Sequence, residues 1–411
     1  MDEGNQKVFV GGYNMKKYIK TERPNLFEPN VYISMIVNID GTVTKEEVCN
    51  AVNTAYLKNE ATMSKVILKE NGEALFEKMN KSGCKVFFEN REWRKIILES
   101  EKNPFAINEG EFIRTYIISM KQEITLLIMA HHLVGDGKAI LVLLEDIVNS
   151  LDGKHVDYKL MELIDEKSLS RKANLPFSIK FGIKKINHKW KKVGRTFTWE
   201  EYFSIHKKYW RNNQSDIIIK TYSATEMKKF CKNGVTLNSY LIAKLLQEYP
   251  DSKVIGIPIS IREKMVTISN QTSGITIKHK YNYNKSFEEN LTKIHKKLYS
   301  KLQNARQKYF VLLFISQLLP SLIDAVLLNT HGCYKNNLSQ KMAYIMGYLG
   351  KGGTDLGITN LMKINIPSDY EKFKIKDILF IPPKVSYAKN VIGISTYGDK
   401  LNVCYHNILK Q

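Results

Sequence analysis

The chain has 411 residues, which is long for one hydrophobic core and predicts two lobes or domains. Its five cysteines are widely spaced, without a CxxC pair, which argues against a disulfide framework or a zinc cage. Because the N-terminus also lacks a signal-peptide pattern, we expect a cytoplasmic protein. The formal net charge of +21 predicts attraction to something acidic, such as cofactor phosphates, an acidic carrier protein, an anionic membrane or nucleic acid.

The first elements are a strand, a helix and a hairpin. Residues 31–40 are β-branched and aromatic and predict a strand. The helical spacing that follows indicates a helix capped by Thr42 or Thr44, with Glu47 three residues after Thr44. The dipeptide at 71–72, Asn-Gly, predicts a hairpin with a tight turn.

Two strand-like runs, 103–120 and 121–130, follow and are joined through residues 121–122. The second run leads into a double histidine, a glycine-rich turn and an apolar helix over 139–151. Few positions of this helix are polar, so we expect it to pack flat on a sheet. We assign residues 1–165 to an N-terminal lobe.

A basic segment separates this lobe from the rest of the chain. Residues 167–199 contain no Asp or Glu, whereas Lys and Arg are dense. Ile179, Ile183, Ile186 and Trp190 fall on one helical face. That face either packs on the protein or rests on a membrane surface, and packing is favoured. We treat 166–200 as a basic inter-lobe segment.

The remaining residues, 201–411, predict a C-terminal lobe with a similar order of strands and helices. The longest apolar stretch, 311–330, contains Gln317, Pro320 and Asp324, so it predicts a buried or interfacial helix in preference to a membrane span. The fold class is therefore α/β (α+β), with two similar lobes that each combine a mixed sheet with helices.

The candidate chemistry lies at the double histidine. His131 and His132 end a strand, where successive side chains point to opposite faces, so they are not expected to bind one metal ion. The amide of Gly137, close to the start of the next helix, carries partial positive charge. A base beside an amide donor suits acyl transfer, because one removes a proton and the other stabilises a tetrahedral oxyanion.

Asp136 has two interpretations. It could orient a histidine in a hydrolase triad, but the chain has no GxSxG nucleophile motif. The favoured interpretation is a buried carboxylate that holds the turn through a salt bridge to Arg114, on a neighbouring strand.

The segment HHLVGDG, residues 131–137, matches the HHxxxDG motif, and the chain thereby resembles the chloramphenicol-acetyltransferase-like acyltransferases, which include condensation domains of peptide synthetases. NPFAINEGEFIR resembles the stretch that precedes this motif in condensation domains and ends on Arg114. VIGIPISIR resembles a strand of their second lobe and ends on Arg262, and GITNLMKI, residues 357–364, resembles a segment that faces the substrate tunnel.

This resemblance implies two lobes that form a V with a tunnel between them. It implies that His132 is the general base, that Gly137 borders the thioester, and that His131 is structural. Asp136 would pair with Arg114. Arg262, together with Thr359 and Asn360 of the 357–364 segment, would be tunnel residues.

The implied activity is that of a free-standing acyltransferase without an acyl-enzyme. Acyl-CoA or an acyl-carrier protein would be the donor and an alcohol or amine the acceptor, with no permanently bound cofactor or metal. We expect a monomer that binds no nucleic acid, and an acidic carrier protein or an anionic membrane surface would suit its charge.

Two alternatives compete, and a third is excluded. His131 and Asp136 also satisfy HxxxxD, the glycerolipid acyltransferase signature, but the PEG-containing phosphate-binding motif of that family does not follow. The basic amphipathic segment keeps a lipid acceptor open. The glycine-rich stretch 347–354 suggests a phosphate-binding loop, but its spacing is not that of a P-loop, so this function is excluded. A non-catalytic protein that uses the same scaffold for binding or carrier docking is the alternative from another class, and the intact motif argues against it.

Overall fold

The computed structural model describes residues 16–120, 123–232, 234–263, 267–350 and 352–410. Within these ranges the strands, in chain order, are β1 Lys17–Tyr18, β2 Tyr32–Gly41, β3 Ser64–Leu68, β4 Ala74–Lys78, β5 Lys85–Glu89, β6 Ile113–Met120, β7 Glu123–His131, β8 Asn213–Ser223, β9 Val254–Ser260, β10 Thr272–Lys278, β11 Thr354–Lys363, β12 Phe373–Ile381, β13 Ala388–Tyr397 and β14 Lys400–Lys410.

The α-helices lie between these strands. In chain order they are α1 Lys45–Leu57, α2 Trp93–Ser100, α3 Gly137–Leu151, α4 Glu166–Lys172, α5 Phe177–Val193, α6 Trp199–Arg211, α7 Ala224–Lys228, α8 Leu237–Glu248, α9 Phe287–Gln303, α10 Ala305–Ser316, α11 Pro320–Thr330 and α12 Asn337–Ile345.

Local sequence signals set the ends of several elements. Thr44 and Glu47 form a reciprocal capping box at the start of α1, as predicted. The hairpin of β3 and β4 is also confirmed, but its turn is looser than the predicted two-residue turn. Lys69 and Glu73 close a three-residue loop in which Gly72 takes a positive φ of 82°, a conformation that glycine adopts without steric cost.

Two larger sheets form the frame of the molecule, in addition to the small sheet β1-β4-β3. The first has the order β12-β2-β7-β6-β5 and the second the order β10-β9-β11-β13-β14-β8. Both are mixed: β5 and β6 run parallel in the first, and β11 runs parallel to β9 and β13 in the second. The predicted class of mixed sheets with packed helices is thus confirmed.

The strand order departs from the predicted division at one element. β12 belongs by sequence to the range 201–411, yet it pairs antiparallel with β2 at the edge of the first sheet. Residues 373–381, assigned by sequence to the C-terminal lobe, thus complete the edge of the first sheet, and the predicted domain boundaries stay predictions. The predicted link between β6 and β7, at 121–122, lies outside the described residues.

The apolar stretch 311–330 forms parts of two helices instead of one. α10 and α11 meet at an angle of 94°, and only together do they reach the length and composition of a membrane span; no single helix in the described ranges does. α11 is almost wholly buried, and its Asp324 forms an ion pair with Arg23 in which both side chains are fully buried. The prediction of a buried helix is confirmed for α11.

The basic segment packs on these helices. Ile183 and Trp190 of α5 are buried in the core, and Ile179 and Ile186 are half-buried against it. The Trp190 indole donates a hydrogen bond of 3.0 Å to the hydroxyl of Ser321, at the start of α11. The isoleucine-tryptophan face therefore packs on the protein, which was the favoured alternative.

Candidate functional site

The double histidine lies where β7 leaves the middle of the first sheet. The amide of His131 donates to the carbonyl of Phe112 on one side, and the amide of His132 donates to the carbonyl of Val31 on the other. Consecutive residues thus bond to opposite neighbours, as in a strand, and their side chains point to opposite faces. The turn then closes when the Val134 amide donates to the His131 carbonyl, 3.0 Å away.

His131 is a buried, neutral ring. Its Nδ1 accepts a hydrogen bond of 3.2 Å from the Leu133 amide, so the ring proton lies on Nε2, which has no partner in the described residues. The ring packs against Tyr32 and Phe105, with centroid distances of 5.8 and 6.1 Å. Burial, helped by the neighbouring His132, lowers the pKa of His131 to about 3. These surroundings suit a packing residue.

His132 is half-buried and has a different environment. Burial lowers its pKa below the ordinary value for histidine, although the nearby Asp136 carboxylate opposes the shift. Nδ1 is buried and has no partner among the described residues. The Asn270 side-chain amide donates to the carbonyls of His132 and Leu133 and holds the backbone of the turn. His132 is therefore uncharged near neutral pH, as a proton acceptor must be.

Asp136 joins the two halves of the chain. It caps α3 by accepting a hydrogen bond of 2.9 Å from the Ala139 amide. The same carboxylate accepts from the Arg262 guanidinium at 3.0 Å, from the Gln271 amide at 2.9 Å and from the Thr272 hydroxyl at 2.8 Å. Every one of these last three donors lies near the ends of β9 and β10, so the carboxylate connects the two larger sheets.

The predicted Asp136–Arg114 pair is wrong. Arg114 forms its salt bridge with Glu111, at 2.9 Å, and donates to the backbone carbonyls of Ser100, Asn103 and Pro104. Its guanidinium also stacks on Phe105, 4.0 Å from the ring centroid. Arg114 therefore holds the loop before β6, because its place on that strand directs the side chain to this loop and away from the turn.

Arg262, assigned to the tunnel by resemblance, is the partner of Asp136. Its side chain is 1% exposed. Besides Asp136 it donates to the carbonyls of Thr267 and Ser269, at 2.8 and 2.6 Å. These contacts occupy two of its three nitrogens, and its remaining nitrogen, Nε, is buried and unpartnered among the described residues. The guanidinium thus serves the turn that carries His132.

Gly137 starts α3 where there is no room for a side chain. A Cβ at this position would lie 2.7 Å from Cδ2 of Leu361 and 3.1 Å from Cε2 of Phe380. The start of the helix is therefore in close contact with β11 and β12. The first amides of a helix have no acceptor within the helix, so the Gly137 amide can serve an anionic oxygen there.

The two other tunnel candidates lie on β11 and face different ways. The Asn360 amide donates to the side-chain oxygen of Asn238, in α8, at 3.1 Å, and its own oxygen accepts from the Met362 amide in a bulge where Met362 has a φ of 65°. Strand alternation puts Thr359 on the face opposite Asn360, and Leu361, in the bulge that follows, lies beside Gly137. The geometry thus directs Asn360 towards α8, and the roles of both residues stay predictions.

Asn270, Gln271 and Thr272 are the site residues that the sequence reasoning missed. They belong to the polar run Ser-Asn-Gln-Thr, residues 269–272, which precedes a strand of alternating apolar residues. This run could have been noticed as a break in the strand pattern. Nothing local shows that it contacts a turn about 135 residues earlier.

Two surface cavities are distinct from this site. One, of about 610 Å³, is lined by Lys253, Lys278, His279 and neighbouring lysines. It lies at the start of β9 and the end of β10, whereas Arg262 and Thr272 lie at the other ends of these strands. The other, of about 450 Å³, is lined by residues of α6 and by Lys102 and Pro104. Neither includes His132.

Comparison with known proteins identifies the fold. No family model matches this sequence, and no curated protein matches it. Among solved structures, it is similar to polyketide synthase associated protein 5 from Mycobacterium tuberculosis, with 12% identity, a TM-score of 0.60, and coverage of 95% of this chain and 92% of that one.

Two condensation domains are equally similar. The first condensation domain of the CDA synthetase has 9% identity and a TM-score of 0.61, covering 96% of this chain and 91% of its own. A variant of the starter condensation domain of rhizomide synthetase, in complex with C8-CoA, has 8% identity and a TM-score of 0.60, with 95% and 89% coverage. The resemblance inferred from the motif is thus confirmed at the level of the fold.

Proposed function

We propose that this chain, which has the fold of condensation domains, transfers an acyl group from a thioester to a hydroxyl or amine, with His132 as general base. The observation that carries the proposal is the state of His132: an uncharged ring on the turn that leads into α3, with that turn fixed by Asp136 and Asn270. Because Nδ1 is buried, Nε2 is the nitrogen that we assign to the substrate.

The proposed reaction is a direct transfer. Nε2 of His132 accepts the proton of the acceptor hydroxyl or amine while the acceptor oxygen or nitrogen forms a bond to the thioester carbon. The carbonyl oxygen becomes an oxyanion, which the Gly137 amide stabilises. The intermediate then expels the sulfur as the C–S bond breaks, and the thiolate takes the proton from the His132 imidazolium. No residue of the chain becomes acylated.

The donor is proposed from chemistry and from the similar structures. The starter condensation domain of rhizomide synthetase was solved as one variant with C8-CoA and as a second variant with C8-CoA and Leu-SNAC. A thioester on CoA or on a carrier protein is the donor class that this reaction requires. We further propose that the enzyme acts as a free-standing protein and that Thr359, on the face of β11 opposite Asn360, lies beside the bound acyl group.

The alternative proposal is a protein that binds a thioester or a carrier protein without catalysis. One observation favours it: the two surface cavities described above are lined partly by lysine and arginine side chains, which suit an acidic partner. The intact His132, Asp136 and Gly137 favour catalysis, because a binding surface has no need of an uncharged histidine held beside a helix start.

A mass-spectrometric screen separates the two. The protein would be incubated with pooled acyl-CoA and acyl-carrier donors and with pooled alcohols and amines, in parallel with a His132→Ala variant. Acylated products that form with the wild type and not with the variant support the proposed reaction. Donor binding without product, at equal affinity for both proteins, would contradict it.

A further inference from the structure

Helix α5 has one face in the core and another in solvent. Its inner face is fixed by Ile183 and Trp190 and by Asn187, whose side chain donates to the carbonyl of Gln317 at 2.8 Å and accepts from the amide of Leu319 at 3.1 Å. These contacts hold the helix against the link between α10 and α11. The outer face therefore has a fixed orientation, although nothing in the described structure covers it.

The outer face begins with two exposed aromatic rings. Phe177 is 84% exposed and Phe181 is 60% exposed. Phe177 is the most exposed large apolar side chain in the described part of the chain. The two residues are four positions apart, so they lie side by side on one helix face. Two adjacent rings in water indicate a surface that meets an apolar partner.

Lysines surround these rings. α5 carries six of them, at 180, 184, 185, 189, 191 and 192, all exposed, and none forms an ion pair within the described ranges. No acidic residue occurs between Glu166 and Glu200. The other lysine-rich helix, α9, differs because it contains Glu288 and Glu289, and Glu289 pairs with Lys285. The positive charge of α5 is thus uncompensated by its own sequence.

We propose that the outer face of α5 docks on an anionic lipid bilayer, with Phe177 and Phe181 at the edge of the hydrocarbon and the lysines on lipid phosphates. A convex helix surface with a few rings and flanking lysines fits the flat interface of a bilayer. The face that would normally insert most deeply, with Ile183 and Trp190, is already used by the core. Docking is therefore shallow, reversible and sensitive to salt.

This docking does not depend on the proposed acyl transfer, and its test needs no substrate. The purified protein is sedimented with vesicles of phosphatidylcholine alone and with vesicles that also contain phosphatidylglycerol, at low and at high salt. We expect sedimentation only with the anionic vesicles and only at low salt. Lys184→Glu combined with Lys185→Glu should lower the partition coefficient by at least about tenfold, and Phe177→Ser combined with Phe181→Ser should lower it without a change of charge.

A matched control keeps the result specific. Lys293→Glu combined with Lys296→Glu changes two exposed lysines of α9 and alters the net charge by the same amount. This variant should sediment nearly as the wild type does, and thermal unfolding would verify that all variants fold. Failure of the wild type to bind anionic vesicles, or equal losses in the α5 and α9 variants, would overturn the proposal. Binding of an acidic acyl-carrier protein in place of anionic vesicles, lost in the α5 lysine variant and kept in the α9 variant, would assign this face to a carrier and also overturn the proposal.

Discussion

Replacing Asp136 by alanine tests how the turn of His132 is held. The carboxylate accepts four hydrogen bonds, from the start of α3, from Arg262 and from two residues at the start of β10. Loss of a helix cap costs about 1 kcal/mol, and leaving one member of a buried ion pair without its partner costs about 3–5 kcal/mol. Because one carboxylate serves both roles, we add the two costs and expect Asp136→Ala to lower the free energy of unfolding by about 4–6 kcal/mol.

The identity of the partner can be measured with a double-mutant cycle. Asp136→Ala would be combined with Arg262→Ala and, separately, with Arg114→Ala, and unfolding followed by circular dichroism in urea. Residues in contact show coupling of about 0.5–3 kcal/mol, whereas independent residues add to within about 0.5 kcal/mol. We expect coupling with Arg262 and additivity with Arg114, although both arginine variants are destabilised.

Asp399→Ala is the matched control. Its carboxylate also accepts several hydrogen bonds, from Ser223 and Thr225, but it lies in an exposed turn. Water can replace those bonds, so this variant should unfold close to the wild-type midpoint. The reasoning would be refuted if Asp136 coupled to Arg114 and not to Arg262, or if Asp136→Ala cost no more than Asp399→Ala.

Two further predictions concern stability. Burial holds the pKa of His131 and of His206 at about 3, against 6.5 for the unfolded side chain, so the folded chain binds fewer protons between these values. The free energy of unfolding should therefore fall as the pH drops from 6.5 towards 3, by up to about 1.4 kcal/mol per pH unit for each histidine. The urea midpoint should fall less steeply with pH for His206→Phe than for the wild type. Equal pH dependence of the two midpoints would contradict the prediction. Gly137→Ala should destabilise by about 1–3 kcal/mol because its Cβ meets Leu361, and Leu361→Ala should relieve part of that loss in the double variant. Gly182→Ala, the same change in a helix with open space around it, should not lower the thermal midpoint, and an equal loss in both variants would exclude the steric explanation.

Features that depend on neighbouring residues could be predicted from the sequence. The capping box of Thr44 and Glu47, the hairpin before Ala74 and the strand-turn-helix around His131 are each contained in about ten residues. Strand alternation alone separated the two histidines, and the structure places their rings in different environments. Such patterns are visible because the backbone periodicity and the turn residues act locally.

Features that depend on contacts between residues far apart in the sequence could not be predicted from it. Asp136 and Arg262 are 126 residues apart, and the sequence offered Arg114 as a nearer cation on an adjacent strand. The pairing of β12 with β2 likewise joins residues more than 300 positions apart. An alternating strand pattern shows that a strand forms and which face is apolar, but it does not identify the neighbouring strand.

The rate of thiol release from an acyl-CoA, in the presence of an acceptor found in the screen, tests the central claim most directly. We expect His132→Ala to lower kcat/KM by about 10²–10⁴-fold, the usual contribution of a general base, with an unchanged unfolding midpoint. His155→Ala, which removes an exposed histidine, should leave the rate as it is. A His132→Ala variant that releases thiol at the wild-type rate would contradict the assignment of His132 as the base.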